Sequence, residues 1–241
     1  MALPNVMQTG RSGMVAAKAQ MSTTSHNIAN ANTEGFSRQR TQQVTDVAHP
    51  HGSKSYIGTG VLINRTERLN DQYLEKQIRN VGRELGHLEE KELALKQTED
   101  VFNEMNGDGL NRLVAKFFND FRKLANDPDS EAVRASVRES SQAMANDFKR
   151  IRTQVVELRN HLDSRLEGYT RELNGSMEQL KDINHRIKVL ENGGAPANDL
   201  QDQRDGIVRK LNTYLDIQTH LDKDGAITVD MKGVGPLVNG P

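Results

Sequence analysis

Three aspartates near the C-terminal end of the chain have a spacing that could hold a cation. Asp199, Asp202 and Asp205 stand three residues apart, so a helix would place their carboxylates along one face. Arg204 and Arg209 stand beside them. A charged, solvent-exposed helix face is therefore the simpler interpretation of this pattern.

Two other stretches resemble metal sites only superficially. His49-Pro50-His51-Gly52 offers two imidazoles without a third ligand nearby, and its Pro and Gly predict a turn. Asp222, Asp224 and Gly225 resemble part of a calcium loop, but no glutamate follows at the twelfth position that such a loop requires. We therefore predict no metal site and no cofactor.

Composition and motifs argue against an enzyme. The 241 residues contain no cysteine, no Gly-rich phosphate loop, no nucleophile elbow and no HExxH zinc motif. Basic residues (32) and acidic residues (33) nearly balance, so charge favours neither nucleic acid nor an anionic membrane as a partner. There is no run of about 18 apolar residues and no cleavable signal peptide at the N-terminus. Only 4% of residues are aromatic, which favours a thin, elongated shape.

The longest helical pattern extends from Pro128 to Asn192. Its apolar residues recur at steps of three and four, which keeps them on one face. Asp127-Pro128 predicts the start and Asn192-Gly193-Gly194 predicts the end. A single stripe on so long a helix has to be covered by other helices, from this chain or from another.

The remaining elements follow from periodicity and from turn residues. Helices are predicted over 67–106, 110–125 and 198–213, with Asn198 as the cap of the last. Strands are predicted over 36–47 with 56–65, and over 215–221 with 227–231. Phe117, Phe118 and Phe121 are predicted to pack in a core.

These elements predict a mainly α fold, an elongated long-helix coiled-coil bundle with a small β-hairpin near the N-terminus and the start of a β-domain at the C-terminal end. Because the chain stops shortly after that β-region begins, we expect a truncated protein. The predicted domains are an assembly helix (1–35), a hairpin-like segment (36–65), a helical bundle (66–213) and the start of the β-domain (214–241).

The N-terminal helix, from Leu3 to about Ala31, has the repeat of a coiled coil. Apolar residues at seven-residue intervals, with Leu3 at the complementary step, form what we call the assembly seam: Leu3, Met7, Met14, Met21 and Ile28. Small residues such as Gly10 and Ala17 keep the helix slender. An ordinary amphipathic helix in a monomeric core is the alternative.

A dense block of polar and glycine residues follows this helix. Asn-rich sequence suits the end of a helix, and Gly35 supplies a turn in which a side chain would clash. The block closely resembles the N-terminal signature of flagellar axial proteins (rod, hook and hook-associated proteins), which usually has Tyr where this chain has Phe36. The matching residues, which we call the signature, are Asn27, Ile28, Ala29, Asn30, Thr33, Gly35, Phe36, Arg38 and Gln39.

Further blocks resemble the family of flagellar hook-associated protein 1, the hook–filament junction protein. They are 57–61, 68–73, 117–129 and 198–205. The last of these, Asn-Asp-Leu-Gln-Asp-Gln-Arg-Asp, is the most discriminating. The resemblance covers essentially the whole chain.

The resemblance implies a non-enzymatic subunit of the extracellular flagellum. In that family the terminal helices pack as coiled-coil layers around a channel, and the chain is exported unfolded by the type III apparatus without a cleaved signal peptide. The implied partners are further copies of the chain in a ring or helical layer, the hook protein, the neighbouring hook-associated protein on the filament side and the export apparatus, with no nucleic acid and no membrane. A soluble coiled-coil adaptor or tether is the alternative function.

Overall fold

The computed structural model describes residues 2–50, 56–102, 109–222 and 225–239. Within these ranges the chain forms helices and strands in this order: α1 (Ala2–Ala29), β1 (Gln39–Thr45), β2 (His49–Pro50), β3 (Tyr56–Ile57), β4 (Val61–Arg68), α2 (Gln72–Phe102), α3 (Leu110–Asn126), α4 (Glu131–Asn192), α5 (Asn198–Tyr214), β5 (Ile217–Leu221), β6 (Ile227–Met231) and β7 (Gly235–Val238). The predicted mainly α fold, with a hairpin near the N-terminus and a C-terminal β-region, is confirmed. Three residues on which predictions were made, His51, Asn106 and Asp224, lie outside the described ranges.

Two helices begin later than their sequence patterns predicted. Helix α2 begins at Gln72, not Glu67, because the Asp71 carboxylate accepts the first free N–H groups, those of Tyr73 (2.9 Å) and Leu74 (3.3 Å). Helix α4 begins at Glu131, not Pro128, with the Ser130 hydroxyl accepting the N–H of Val133 at 3.4 Å.

Asp127, which was predicted to begin α4, is instead the C-terminal cap of α3. Asp127 closes α3, and its N–H donates to the carbonyl of Lys123 at 3.0 Å. The other end of α4 is as predicted. The helix stops at Asn192, and Gly194 has φ +78°, a conformation that glycine adopts without strain.

The chain folds into two compact units, Met1–Leu85 with Asn174–Pro241, and Gly86–Leu173. In the second unit Asp120 of α3 is only 2% exposed and accepts a hydrogen bond from the Ser136 hydroxyl of α4 at 3.1 Å. Phe118 and Phe121 are exposed, so their predicted core role is wrong. Their neighbour Phe117 is half-buried and stacks edge-on with both.

The core of the first unit lies where α4, α5 and the C-terminal sheet meet. Ile183 and Ile187, one turn apart on α4, pack with Ala197 and Leu200. The core continues through further buried apolar residues: Leu180, Val208, Leu211, Ile217, Ala226, Val229 and Val238. This core positions α5, on which the N-terminal elements rest.

The C-terminal sheet is antiparallel, with the order β5-β6-β7. The predicted hairpin of β5 and β6 is confirmed, with Gly225 at φ +77° in the turn. The third strand, β7, was missed because Gly235-Pro236 predicts a turn. Pro236 is tolerated there because β7 lies at an edge of the sheet.

The N-terminal hairpin pairs β1 with β4, from Gln39↔Arg68 to Thr45↔Val61. The strand predicted over 56–65 is divided, because β3 pairs only with β2, while β4 continues to Arg68. Helix α1 packs on β1 and β4.

Candidate functional site

The signature joins the last turn of α1 to the first residue of β1. The Asn27 side chain donates to the carbonyl of Gln39 (2.8 Å) and accepts the N–H of Gln39 (2.8 Å). One carboxamide therefore satisfies both backbone groups of a strand residue. Further up the helix, the hydroxyls of Thr23 and Thr41 hydrogen-bond at 2.9 Å.

The turn between α1 and β1 is built from the remaining signature residues. The Asn30 side chain donates to the carbonyl of His26 at 3.0 Å, which closes the helix, and the Thr33 hydroxyl donates to Asn30 at 3.3 Å. Gly35 has φ +78°, as its predicted turn role requires. The Phe36 ring meets the His26 ring edge-on, with centroids 5.4 Å apart.

Helix α5 provides a row of polar side chains on which this turn rests. We call Asn198, Asp199, Asp202 and Asp205 the polar seat. Asp202 accepts the N–H of Ser37 at 2.9 Å, and Asp199 accepts the Gln39 side-chain N–H at 2.7 Å. His26 lies 3.3 Å from the same Asp199 oxygen.

Two sequence interpretations of this helix are therefore wrong. Asp202 is buried against the N-terminal elements, so the three aspartates do not form a solvated face. Asn198 does not cap α5, because its side chain donates instead to the carbonyl of Thr66 at 2.9 Å and to Gln39 at 3.4 Å.

Arg68, the last residue of β4, binds two aspartates of the polar seat. Its Nη1 lies 2.9 Å from Asp202 and 2.6 Å from Asp205, and all three side chains are largely buried. Burial alone would lower the pKa of Arg68, but Asp205 and Asp202 together outweigh burial and raise it. Asn70 adds a hydrogen bond to Asp205 at 3.3 Å.

Asp205 also links the hairpin to the C-terminal sheet. Its other oxygen lies 3.4 Å from Arg204, whose Nη1 donates to the carbonyl of Gly225 at 2.7 Å. Burial lowers the pKa of Arg204, and the positive charge of Arg68 lowers it further. The guanidinium keeps its charge at any physiological pH.

The seam side chains that the structure describes lie on the exposed face of α1. Met7, Met14, Met21 and Ile28 are each 70–75% exposed, whereas Ala16 on the other face is buried. The Leu3 side chain lies outside what the structure describes. The structure thus brings Asn27, Gln39 and the polar seat together and leaves the seam outside this cluster.

The remaining signature residues contribute through backbone or lie on the surface. Ile28 and Ala29 are exposed, as is the Arg38 side chain, although the Arg38 carbonyl accepts the N–H of Leu69 at 2.8 Å. Sequence reasoning missed His26, Ser37, Thr66 and Arg68 as members of the cluster. The blocks 68–73 and 198–205 contain the matching partners, but nothing in a single sequence pairs one block with the other.

Clusters of metal ligands and membrane-spanning helices were both sought among the described residues. No three His, Cys, Asp or Glu side chains among them are grouped so as to hold a metal ion. None of the helices within the described ranges is long and apolar enough to cross a membrane.

Two family models match the chain, and both describe flagellar proteins. Residues 7–36 match the model of the flagella basal body rod protein. Residues 95–241 match that of the flagellar hook-associated protein FlgK helical domain. Both matches indicate that the chain is of the class of flagellar axial proteins. Within it, the chain belongs to the FlgK family of hook-associated proteins.

Individual relatives agree with this assignment. The chain is 33% identical over 225 residues to flagellar hook-associated protein 1 of Bacillus subtilis, covering 91% of this chain and 44% of that protein. It is 23% identical to the Salmonella typhimurium protein of the same name, covering 99% and 43%. The chain thus spans less than half the length of the curated relatives it matches.

A solved structure shares the fold. The flagellar hook junction protein FlgK from Burkholderia pseudomallei superposes with a TM-score of 0.60 at 22% identity, over 68% of this chain and 29% of that one. A shorter likeness, 44% identity over 61 residues, is to the flagellar hook protein FlgE of Rhizobium meliloti, covering 25% of this chain and 15% of that protein.

Proposed function

We propose that the protein is a structural, non-enzymatic subunit of the bacterial flagellum that joins hook to filament. The observation that carries this proposal is the 33% identity to a hook-associated protein 1 across 91% of the chain. The likeness to the rod family at residues 7–36 supports assignment of the N-terminal segment to the axial structure.

In this proposal α1 is the assembling element. Its outward stripe of Met7, Met14, Met21 and Ile28 leaves a large apolar area in water. Burial of such side chains between copies is favourable by about 25 cal/mol per Å². The assembly seam, which includes Leu3, therefore packs against neighbouring copies in a ring or helical layer.

The signature gives this helix its direction. Asn27, Asn30, Gly35, Phe36 and Gln39 hold the turn that joins α1 to the hairpin. A junction has to connect a hook that bends to a filament that does not, and a fixed turn between stiff elements suits that task.

The proposed partners follow from the position at the junction. They are further copies of the chain, the hook protein on one side and a neighbouring hook-associated protein on the other. Export through the flagellar type III apparatus, without a cleaved signal peptide, would bring the chain to this extracellular position.

Cell fractionation tests the proposal. Flagella are sheared from the native bacterium and washed, and antibody against this chain is used on the flagella and on the cytosol. We expect the protein with the flagella, and gold-labelled antibody at the hook–filament boundary. Protein found only in the cytosol would overturn the proposal and favour a soluble coiled-coil adaptor.

A further inference from the structure

The buried core of the first unit is divided unevenly between its two stretches of sequence. Among the described residues, the buried apolar side chains of this unit lie between Leu180 and Val238, apart from Ala16. Residues 2–50 with 56–70, which we call the N-terminal segment, contribute no other. The fully buried apolar side chains of this unit therefore come almost entirely from α4, α5 and the C-terminal sheet.

The N-terminal segment has contacts of its own that hold it together. Asn27 binds both backbone groups of Gln39, and the Ser12 hydroxyl accepts the N–H of Val61 at 3.2 Å. The ladder between β1 and β4 completes the set. These bonds remain whether or not the segment touches α5.

The contacts from the N-terminal segment to the polar seat are hydrogen bonds and ion pairs. They join Ser37 to Asp202, Gln39 to Asp199, and Thr66 to Asn198. Water can replace each of them at small net cost, because folding exchanges such bonds for bonds to solvent. Polar contacts of this kind open at lower free energy than a packed core does.

Arg68 makes the strongest of these contacts. It is the one residue of the N-terminal segment, among those described, that forms ion pairs with Asp202 and Asp205 together. It stands at the end of β4, just before the connection to α2. A release at this point would free the hairpin and α1 together.

We propose that Arg68 is a latch: when it leaves Asp202 and Asp205, the N-terminal segment detaches from α5 as one body and pivots at Asp71, the residue between the segment and α2, while the α4–α5–sheet core stays folded. The value of such a pivot to a junction subunit rests on the proposed function. The detachment itself does not, since it concerns the isolated protein only.

Distance measurement on the purified chain tests the latch. The chain lacks cysteine, so Gln20→Cys on α1 and Thr213→Cys on α5 introduce two defined labelling sites at exposed positions. Double electron–electron resonance between nitroxide spin labels on the two cysteines then reports the distribution of distances between them. We expect one narrow distribution in the parent, and a broad or double one after Arg68→Ala.

Hydrogen exchange gives a second readout. The N–H of Ser37 is held by Asp202, so it should exchange at least about tenfold faster in Arg68→Ala, while amides of 180–221 stay protected. Arg68→Lys, which keeps the charge but lacks the planar fork, should fall between parent and Ala variant.

Arg83→Ala is the matched control. Arg83 of α2 forms an ion pair with Asp216, between α5 and β5, and this pair lies outside the latch. The control should leave the distances and Ser37 exchange unchanged. Unaltered label distances in Arg68→Ala would overturn the latch. An equal loss of hydrogen-exchange protection across 180–221 would also overturn it, because the segment and the core would then open as a single cooperative unit. Neither result depends on where the protein is found in the cell.

Discussion

Asn27 and Gln39 pair as two strand residues would, although one of them lies in a helix. The Asn27 carboxamide donates to the Gln39 carbonyl and accepts its N–H, each at 2.8 Å. A carboxamide carries a donor and an acceptor side by side, and among side chains only asparagine and the longer glutamine have one. The pair therefore fixes the direction of α1 relative to the hairpin.

The first prediction concerns this pair. Asn27→Ala leaves the N–H and carbonyl of Gln39 without their partner, and a buried polar group in that state costs about 1–3 kcal/mol. We expect urea unfolding monitored by hydrogen exchange of residues 39–45 to show a loss in that range. Asn32→Ala, in the exposed part of the same turn, should change stability by less than about 0.5 kcal/mol. Equal effects of the two changes would contradict the assigned role of Asn27.

The second prediction concerns the turn glycine. At φ +78°, Gly35→Val strains the backbone by about 1–2 kcal/mol, and the nearest obstacle, Arg209 at 3.5 Å, is an ordinary contact. We expect circular dichroism to show nearly parental helix content, while cells carrying the variant fail to assemble the junction. Gly13→Ala, within α1 and with open space around it, should assemble normally. Normal swimming of the Gly35→Val strain would count against the turn.

The third prediction concerns Asn184 of α4, which is fully buried. Its side chain donates to the Ile227 carbonyl (2.8 Å) and accepts the Ile227 N–H (3.1 Å). Asn184→Ala should lower the free energy of unfolding by about 2 kcal/mol or more, because both backbone groups lose their partner. Chemical denaturation measures this, with exposed Asn174→Ala as the neutral control. A loss below about 0.5 kcal/mol would show that water replaces the amide.

The fourth prediction concerns pH and the second unit. Burial would raise the pKa of Asp120, but hydrogen bonds from Ser136, Lys123 and Ser140 outweigh it and lower the pKa. A lowered folded-state pKa means that Asp120 contributes stability above its unfolded pKa. That stability disappears as pH falls through the folded value.

Ser136→Ala removes one of those hydrogen bonds, so the pKa of Asp120 should rise and acid destabilisation should begin at a higher pH. Carbon NMR of the Asp120 carboxyl, with melting curves between pH about 6 and 2, measures both effects. Ser141→Ala on the same helix is the control, since that hydroxyl donates to the Val137 carbonyl. An unchanged pKa of Asp120 in Ser136→Ala would show that the Ser136 hydroxyl does not lower it.

The sequence predicted the helices and strands better than it predicted which of them contact one another. Three- and four-residue apolar steps found α4, and Asp-Gly found the β5–β6 turn, because both signals are local. Helix starts were misplaced because several residues could cap them: Ser130 caps α4 where Asp127 was expected. Strand β7 was missed because Pro236 argues against a strand unless it lies at an edge.

The site was predictable only in part for the same reason. Asn27, Gly35 and Gln39 stand close together in sequence, so their shared turn could be expected. Their contact with the polar seat joins residues about 160 positions apart, and helix periodicity does not say what covers a charged face. The aspartate row therefore suggested a solvated surface, whereas Asp202 is buried against Ser37.

If the exposed assembly seam joins neighbouring copies, a double variant of the seam should fold normally but fail to assemble. Met14→Gln with Met21→Gln changes two side chains that are more than two-thirds exposed, so the free energy of unfolding should stay within about 0.5 kcal/mol of the parent. The amount of protein recovered with sheared, washed flagella is then measured against the parent strain. We expect at least about tenfold less protein and loss of filaments, since the seam would no longer bury apolar surface between copies. Parental recovery and normal filaments would contradict it.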